Sequence, residues 1–132
     1  MKKNCIKAEI IIPAGRQIWS HEIRVAQILA MAGHRVEFLV ETNSLPTADI
    51  KLDGVEYEIK SPEKMNANSL EHLLKNALRQ SPNIIIDASR MQRVRDDSLC
   101  KFLVRQANSR KQIKSLLLIT KQGRIIDICA LT

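Results

Sequence analysis

Aromatic side chains are nearly missing from this chain: Trp19, Phe38, Tyr57 and Phe102 are the only ones in 132 residues. That excludes the single-strand binders that stack base after base along a row of rings. Cysteine is as sparse. Cys5, Cys100 and Cys129 are odd in number and show no Cys-x-x-Cys spacing, which argues against a disulfide framework and a structural zinc site. No apolar run approaches the ~18–20 residues of a membrane span. The opening Met1-Lys2-Lys3-Asn4 has the charge of a secretion signal. The apolar stretch behind it is broken by Lys7 and Glu9 and stops at Pro13, so the signal pattern is not met. What is present is a 45% hydrophobic content, enough for a real core in a single domain over residues 1–132. A cytoplasmic location is expected.

The net charge of +7 points to an anionic partner. It is concentrated. Arg90, Arg93, Arg95, Lys101, Arg105, Arg110, Lys111 and Lys114 are opposed only by Asp96 and Asp97, which leaves this window at +6 and the rest of the chain at +1. Such a segment is either the footprint of a polyanion binder or a solvated helix face.

Local patterning predicts an α/β domain with a mixed sheet. Lys7 to Ile12 reads as a strand ended by Pro13-Ala14-Gly15. Ser20 stands at an N-cap position, and Glu22, Val25, Ala26 and Leu29 follow at helical spacing up to Gly33. Val36, Phe38 and Val40 alternate as a strand, and Asn43 to Thr47 is a loop. Asp53-Gly54 between two alternating runs marks a two-residue hairpin over Asp49 to Lys60. Asn68 and Glu71 form a capping pair for a helix carrying Leu70, Leu73, Leu74, Ala77 and Leu78. Ile84, Ile85 and Ile86 read as a strand buried on both faces. A basic helix from Arg93 to Ser109, a strand from Ser115 to Thr120, a turn at Gln122-Gly123 and a strand from Arg124 to Ile128 complete the order. Ile125, Ile126, Ile128 and Leu131 cover their own core or leave an apolar edge; the oligomeric state is not legible.

The hairpin carries the chemistry. A turn at Asp53-Gly54 sets Lys51 against Glu56 and Asp49 against Glu58, two carboxylates about 5 Å apart on one face. Lys60 follows about 6.6 Å along the same face. Like charges so placed call for a proton or cation between them. Two carboxylates and a lysine suit Mg²⁺ or Mn²⁺ chemistry on phosphate, with Zn²⁺ less suited. The same face is also read as the solvent side of an amphipathic hairpin, with Lys60 neutralising its neighbours. Asp53, already explained by the turn, is the weaker ligand candidate. Glu22 lies on the apolar stripe of the first helix, where it needs a partner, a metal or the helix dipole. His21 beside it is read as a surface or capping residue.

These residues carry a resemblance. Asp49 followed by Glu58-Ile59-Lys60 resembles the PD-(D/E)XK nuclease signature, and the order helix, three strands, helix, strand is similar to that superfamily's core. His21-Glu22, Val36-Glu37-Phe38-Leu39, Ala48-Asp49, Gly54, Glu58-Ile59-Lys60-Ser61-Pro62 and Gln80-Ser81-Pro82-Asn83-Ile84-Ile85-Ile86-Asp87 resemble the C-terminal tRNase toxin domain of CdiA proteins, over about residues 20 to 128. The resemblance implies a restriction-endonuclease-like αβββαβ core and a metal-dependent ribonuclease, with tRNA favoured over DNA and an immunity protein as a possible partner. It implies Asp49 and Glu58 as metal ligands, Lys60 as the catalytic lysine, and Glu22 as the acidic residue of the first helix. Ser61, Gln80, Asp87 and Arg90 would line the site or hold the substrate backbone, although Ser61 and Gln80 are equally read as caps and Asp87 as a strand terminator. Arg93, Arg95, Lys101, Arg105, Arg110, Lys111 and Lys114 would grip phosphates. The rival readings are a DNA endonuclease of the same superfamily and a non-catalytic nucleic-acid-binding module. The chain begins at its own Met1 without a delivery region, so the readings set against the toxic role are a free-standing cytoplasmic relative, an orphan module and a domain with a housekeeping role.

Overall fold

A computed structural model describes residues 9–40 and 47–132. Lys7, Ala8 and all but Thr47 of the expected Asn43 to Thr47 loop lie outside them. The elements are β1 (Glu9–Ile11), α1 (Ser20–Met31), β2 (Arg35–Phe38), β3 (Ile50–Leu52), β4 (Val55–Lys60), α2 (Ala67–Leu78), β5 (Asn83–Asp87), α3 (Asp96–Ser109), β6 (Ser115–Ile119), β7 (Ile125–Asp127) and a closing 3-10 turn, Cys129–Leu131. This is the expected mixed α/β order.

The strands form one seven-stranded sheet in sequence order. β1 pairs parallel with β2, β2-β3-β4 is an antiparallel meander, β4-β5-β6 is parallel, and β7 returns antiparallel. Strands β1, β2, β4, β5 and β6 therefore share one direction. Their C-terminal ends lie at one end of the sheet, and the chain enters the opposed β3 from that same end, through Asp49. The C-terminal end of an α/β sheet is where such folds place ligands.

The helices cover both faces. Val25, Ala26 and Leu29 of α1 pack on Val36, Phe38, Ile50, Leu52, Ile59 and Ile85. Leu70, Leu74 and Ala77 of α2 and Leu99, Phe102 and Leu103 of α3 pack on Ile84, Ile86, Leu116 and Leu118. Ile84, Ile85 and Ile86 are fully buried, as a strand roofed on both sides requires. Ile128 is also fully buried, so the last hairpin does cover its own core.

Some local expectations shift. The N-cap of α1 is Trp19, because the Glu22 carboxylate reaches back to the Trp19 N–H at 3.0 Å. That makes Ser20 the first helical residue. The cap of α2 is Asn66, whose side-chain oxygen accepts from Ser69 N–H at 3.1 Å, two residues before the expected Asn68. α3 begins at Asp96. Arg93, expected on that helix, sits before it at a left-handed φ of 57°, and Arg95 is the N-cap.

Candidate active site

The β3-β4 hairpin has the expected register: Leu52 faces Val55, Lys51 faces Glu56 and Ile50 faces Tyr57. It stops one step before the expected Asp49–Glu58 pair. Asp49 N–H donates to the Tyr57 carbonyl at 3.1 Å, so Asp49 and Ile50 both face Tyr57, as in a bulge. The Asp49 carbonyl accepts from Leu39 N–H of the β2 end at 2.9 Å. Its carboxylate turns across the ladder, and Oδ2 accepts the Ile59 N–H at 2.8 Å. A continued ladder would have given that N–H to Ala48. The bulge thus re-aims Asp49 into the gap where β3 and β4 part.

Glu58 stands beside it, and it does not face solvent: the residue is 6% exposed. Its Oε2 lies 3.3 Å from Lys60 Nζ. Its Oε1 is buried with no donor facing it. Burial first, and the Asp49 charge second, push the Glu58 carboxyl up to about 8; the Lys60 ammonium pulls the other way without prevailing. Burial also raises Asp49, against the opposing Ile59 N–H. Near neutral pH Glu58 therefore keeps its proton and shares it with Asp49 through a side-chain hydrogen bond. This is the proton or cation that the like-charged face demanded. It removes the solvent-face alternative for Glu58.

Glu22 is buried at 5% exposure, and its charge reaches Asp49 and raises it. Its carboxylate is already engaged, however. Arg16 Nη2 lies 3.2 Å from Glu22 Oε2, and Oε1 caps Trp19. Arg16, itself buried, also bonds the Leu39 carbonyl through Nε at 2.7 Å and lies over the Phe38 ring at 5.4 Å. Among the described residues no three His, Cys, Asp or Glu side chains gather to hold a metal. The convergence of Glu22, Asp49 and Glu58 on one ion is thus absent, because Arg16 neutralises Glu22. Asp49 and Glu58 remain as a two-carboxylate donor set.

Next to Lys60, Ser61 Oγ donates to Asp87 Oδ2 at 3.0 Å. Asp87 is fully buried. It also accepts from Ser89 Oγ at 3.0 Å, Ser89 N–H at 3.1 Å and Arg24 Nη1 at 2.9 Å. Arg24 in turn bonds the Thr120 and Lys121 carbonyls at 3.1 and 2.9 Å. Asp87 is therefore a saturated hub that ties α1, β4, β5 and the β6-β7 turn together. Its four lone pairs are all occupied in this arrangement.

Other expected residues lie elsewhere. Asp53 is bound to His34 Nδ1 at 2.7 Å and to Arg35 N–H at 2.8 Å at the hairpin tip, the far end of β3 from Asp49. Gln80 follows α2, with a buried side-chain oxygen that accepts no hydrogen bond. Its neighbour Ser81 bonds the Glu56 carbonyl at 2.9 Å, towards the start of β4. His21 is half-buried in the first turn of α1.

The basic residues do not form one patch. Arg90, paired with Glu63 at 3.0 Å, and Arg93 line a cleft of about 480 Å³ with Lys64 and Met65 at the C-terminal end of the sheet. Arg95 pairs with Asp97 at 3.2 Å. Lys101 and Arg105 are exposed along α3. Arg110 bonds Gln106 at 2.9 Å and lines a small cleft with Asn68 and Lys75 of α2. Lys111 is exposed beyond the helix end. Lys114 N–H bonds the Pro82 carbonyl at 2.9 Å, just before β5 starts, so Lys114 lies at the opposite end of that strand from Asp87, roughly 13 Å away. A helix that runs antiparallel to its strands spreads a basic stretch along the molecule.

The family model of the contact-dependent growth inhibition CdiA C-terminal domain matches residues 46–125. The chain belongs to this family. A solved CdiA-CT/CdiI toxin and immunity complex from Burkholderia pseudomallei contains a chain of the same fold. Its TM-score is 0.68 at 19% identity, covering 90% of this chain and 97% of that one. No curated protein matches the sequence. The family match takes in Asp49, Glu58, Lys60, Asp87 and all of α3. Arg16, Glu22 and Arg24 lie before it.

Arg16 and Arg24 escaped the sequence reading. Arg16 follows a Pro-Ala-Gly turn, and Arg24 sits on a helix whose neighbours signal core. Only their long-range partners, Leu39 and Asp87, reveal what they do. No helix among the described residues is long and apolar enough to cross a membrane.

Proposed function

We propose that this CdiA C-terminal domain is a metal-dependent nuclease of the PD-(D/E)XK type that cleaves tRNA, acting as a toxic effector restrained by an immunity protein. One observation carries the reading: a buried carboxyl, Glu58, has an oxygen with no donor facing it, beside a second carboxylate and 3.3 Å from a lysine. Perturbed carboxyls of this kind cluster at functional sites, and an acceptor left unmet on burial costs about 1–3 kcal/mol.

The residues fit a hard divalent cation. Mg²⁺ is held by one or two carboxylates with the remaining positions left to water and phosphate, and Asp49 with Glu58 offers that set. A bound Mg²⁺ or Mn²⁺ supplies Lewis acidity towards a phosphoryl oxygen and a water of lowered pKa. The chain's own groups do the rest. Asp49 is fixed in aim by the Ile59 N–H. Glu58 must first release its proton. Lys60, whose side chain is 30% exposed, reaches the phosphate and balances the charge that develops on it. The Asp87–Ser61 bond holds the backbone after Lys60. Arg90 and Arg93, at the same end of the sheet, grip flanking phosphates without reading bases.

The test is incubation of purified protein with total tRNA, and in parallel with duplex DNA, in Mg²⁺ or Mn²⁺. Cleavage of tRNA that EDTA abolishes and that Glu58→Gln and Lys60→Ala each lose supports the proposal. Absent cleavage, or variants that cut as well as the parent, sinks it; cleavage of the DNA alone replaces the substrate. Growth arrest on expression in bacteria, relieved by the same substitutions, tests the toxic role.

A further inference from the structure

The single tryptophan of the chain stands where a polar surface residue would be expected. Trp19 is 58% exposed at the N-cap of α1. With Gly15, Arg16, Gln17 and Val40 it lines a cleft of about 330 Å³. Val40 is itself 51% exposed, and Ile12, just past the end of β1, is 50% exposed. Large apolar side chains left in water beside a cleft mark a contact surface.

Its position says which contact. Val40 is next to Leu39, and Leu39 N–H bonds the Asp49 carbonyl at 2.9 Å. Arg16, which lines the cleft, bonds the Leu39 carbonyl at 2.7 Å. The Trp19 N–H is held by Glu22, whose charge reaches Asp49. The cleft is thus held beside Asp49 at the same end of the sheet, through the backbone of Leu39 on one side and Arg16 and Glu22 on the other. Gly15 has open space on its side-chain side: nothing lies within 4 Å of the point a β-carbon would occupy, and its φ of +81° favours glycine.

We propose that Trp19 is a stacking platform for one unpaired base of the RNA substrate, seated in this cleft next to the phosphate that Asp49, Glu58 and Lys60 address. The proposal rests on the nuclease reading and adds a substrate class to it: RNA that presents an unstacked nucleotide, such as a loop or a single-stranded end. A base is the occupant that fits. The surface offers one flat apolar face and the exposed Gln17 for an edge contact. Arg90 and Arg93 stand at the same end of the sheet and draw in a polyanion. One ring gives one stacked base, in keeping with a chain too poor in aromatics to hold a row of them.

As the sole tryptophan, Trp19 reports on its own occupancy. In EDTA, so that nothing is cut, the fluorescence is titrated with a single-stranded 2′-O-methyl oligoribonucleotide and with a fully paired duplex of the same length. Strong quenching by the single strand and weak quenching by the duplex support the proposal. So does a Trp19→Ala variant that binds the single strand roughly ten-fold or more weakly, with Trp19→Phe restoring most of the affinity. An exposed cap position leaves the thermal melt of both variants near the parent's. Unchanged fluorescence, or Trp19→Ala binding and cutting RNA as the parent does, overturns it and leaves the ring as a protein-contact residue. The two readings fail separately. If the chain never cleaves yet quenching is strand-specific, the nuclease is lost and the platform stands. If the chain cleaves and Trp19→Ala is silent, the reverse holds.

Discussion

Replacing Glu58 by Gln should stabilise the metal-free protein, and the size of the gain follows from the site. In the fold the carboxyl titrates at about 8, against an ordinary 4.5. Because the folded value is raised, its contribution to stability is complete below 4.5, falls as pH rises, and is exhausted above 8. Each pH unit across that window is worth about 1.4 kcal/mol. By pH 7 the fold has lost at most about 3 kcal/mol relative to pH 4. Gln has the same shape, carries no charge and still offers a donor to Asp49. Glu58→Gln is therefore expected to match the parent at pH 4 and to exceed it by up to about 3 kcal/mol at pH 7, a rise in melting temperature of roughly 10 °C for a domain of this size. The measurement is a series of thermal melts by circular dichroism from pH 4 to 8 in EDTA. A variant that is less stable at pH 7, or a difference that does not widen with pH, would show that the Lys60 ammonium governs Glu58 and would refute the shared-proton description.

Three further outcomes are expected. Mn²⁺ affinity should climb between pH 6 and 8 because Glu58 must lose its proton, and calorimetry in buffers of different ionisation enthalpy should show close to one proton released at pH 7; a pH-independent affinity contradicts this. Arg24→Ala strips the buried Asp87 of the cation paired with it among the described residues and should cost about 2–3 kcal/mol by denaturant melt, discounted from a fully buried pair because the Arg24 side chain is 30% exposed; a loss below 1 kcal/mol would mean Ser61 and Ser89 suffice. Arg93→Ala should weaken tRNA binding and lower the salt slope by about one, whereas Lys114→Ala at the other end of β5 should do neither; equal effects would restore a continuous basic surface.

Much of the fold was legible because its signals are local. Asp53-Gly54 set the hairpin register, Pro13-Ala14-Gly15 and Ser81-Pro82 marked ends, and the triple isoleucine announced a doubly covered strand. The caps at Trp19 and Asn66 were not: at Trp19 the Glu22 side chain reaches back to accept the backbone N–H, and at Asn66 the residue's own side chain, not that of Asn68, accepts the Ser69 N–H. The Asp49–Glu58–Lys60 face was visible as a spacing. Its burial was not, because hairpin periodicity cannot tell a solvent face from one covered by a distant helix. Nor was the bulge at Asp49, whose N–H turns to the Tyr57 carbonyl already opposite Ile50. The basic stretch was correctly counted and misplaced: charge adds along a sequence, but a helix crossing back over its sheet separates its two ends.

The strands stand in the sheet in the order in which they occur in the chain. Every pairing among the described residues joins strands consecutive in the chain, but over different spans: the antiparallel pairs close over a turn or a short loop, whereas the parallel pairs close over 26 to 32 residues and form more slowly. The two carboxylates and the lysine belong to a single hairpin, which closes on the microsecond scale. The acidic pair is thus brought together while water still screens it, and it takes up its proton as burial raises the two carboxyls. The hairpin that carries the candidate chemistry can therefore be unravelled and rebuilt from its own local signals.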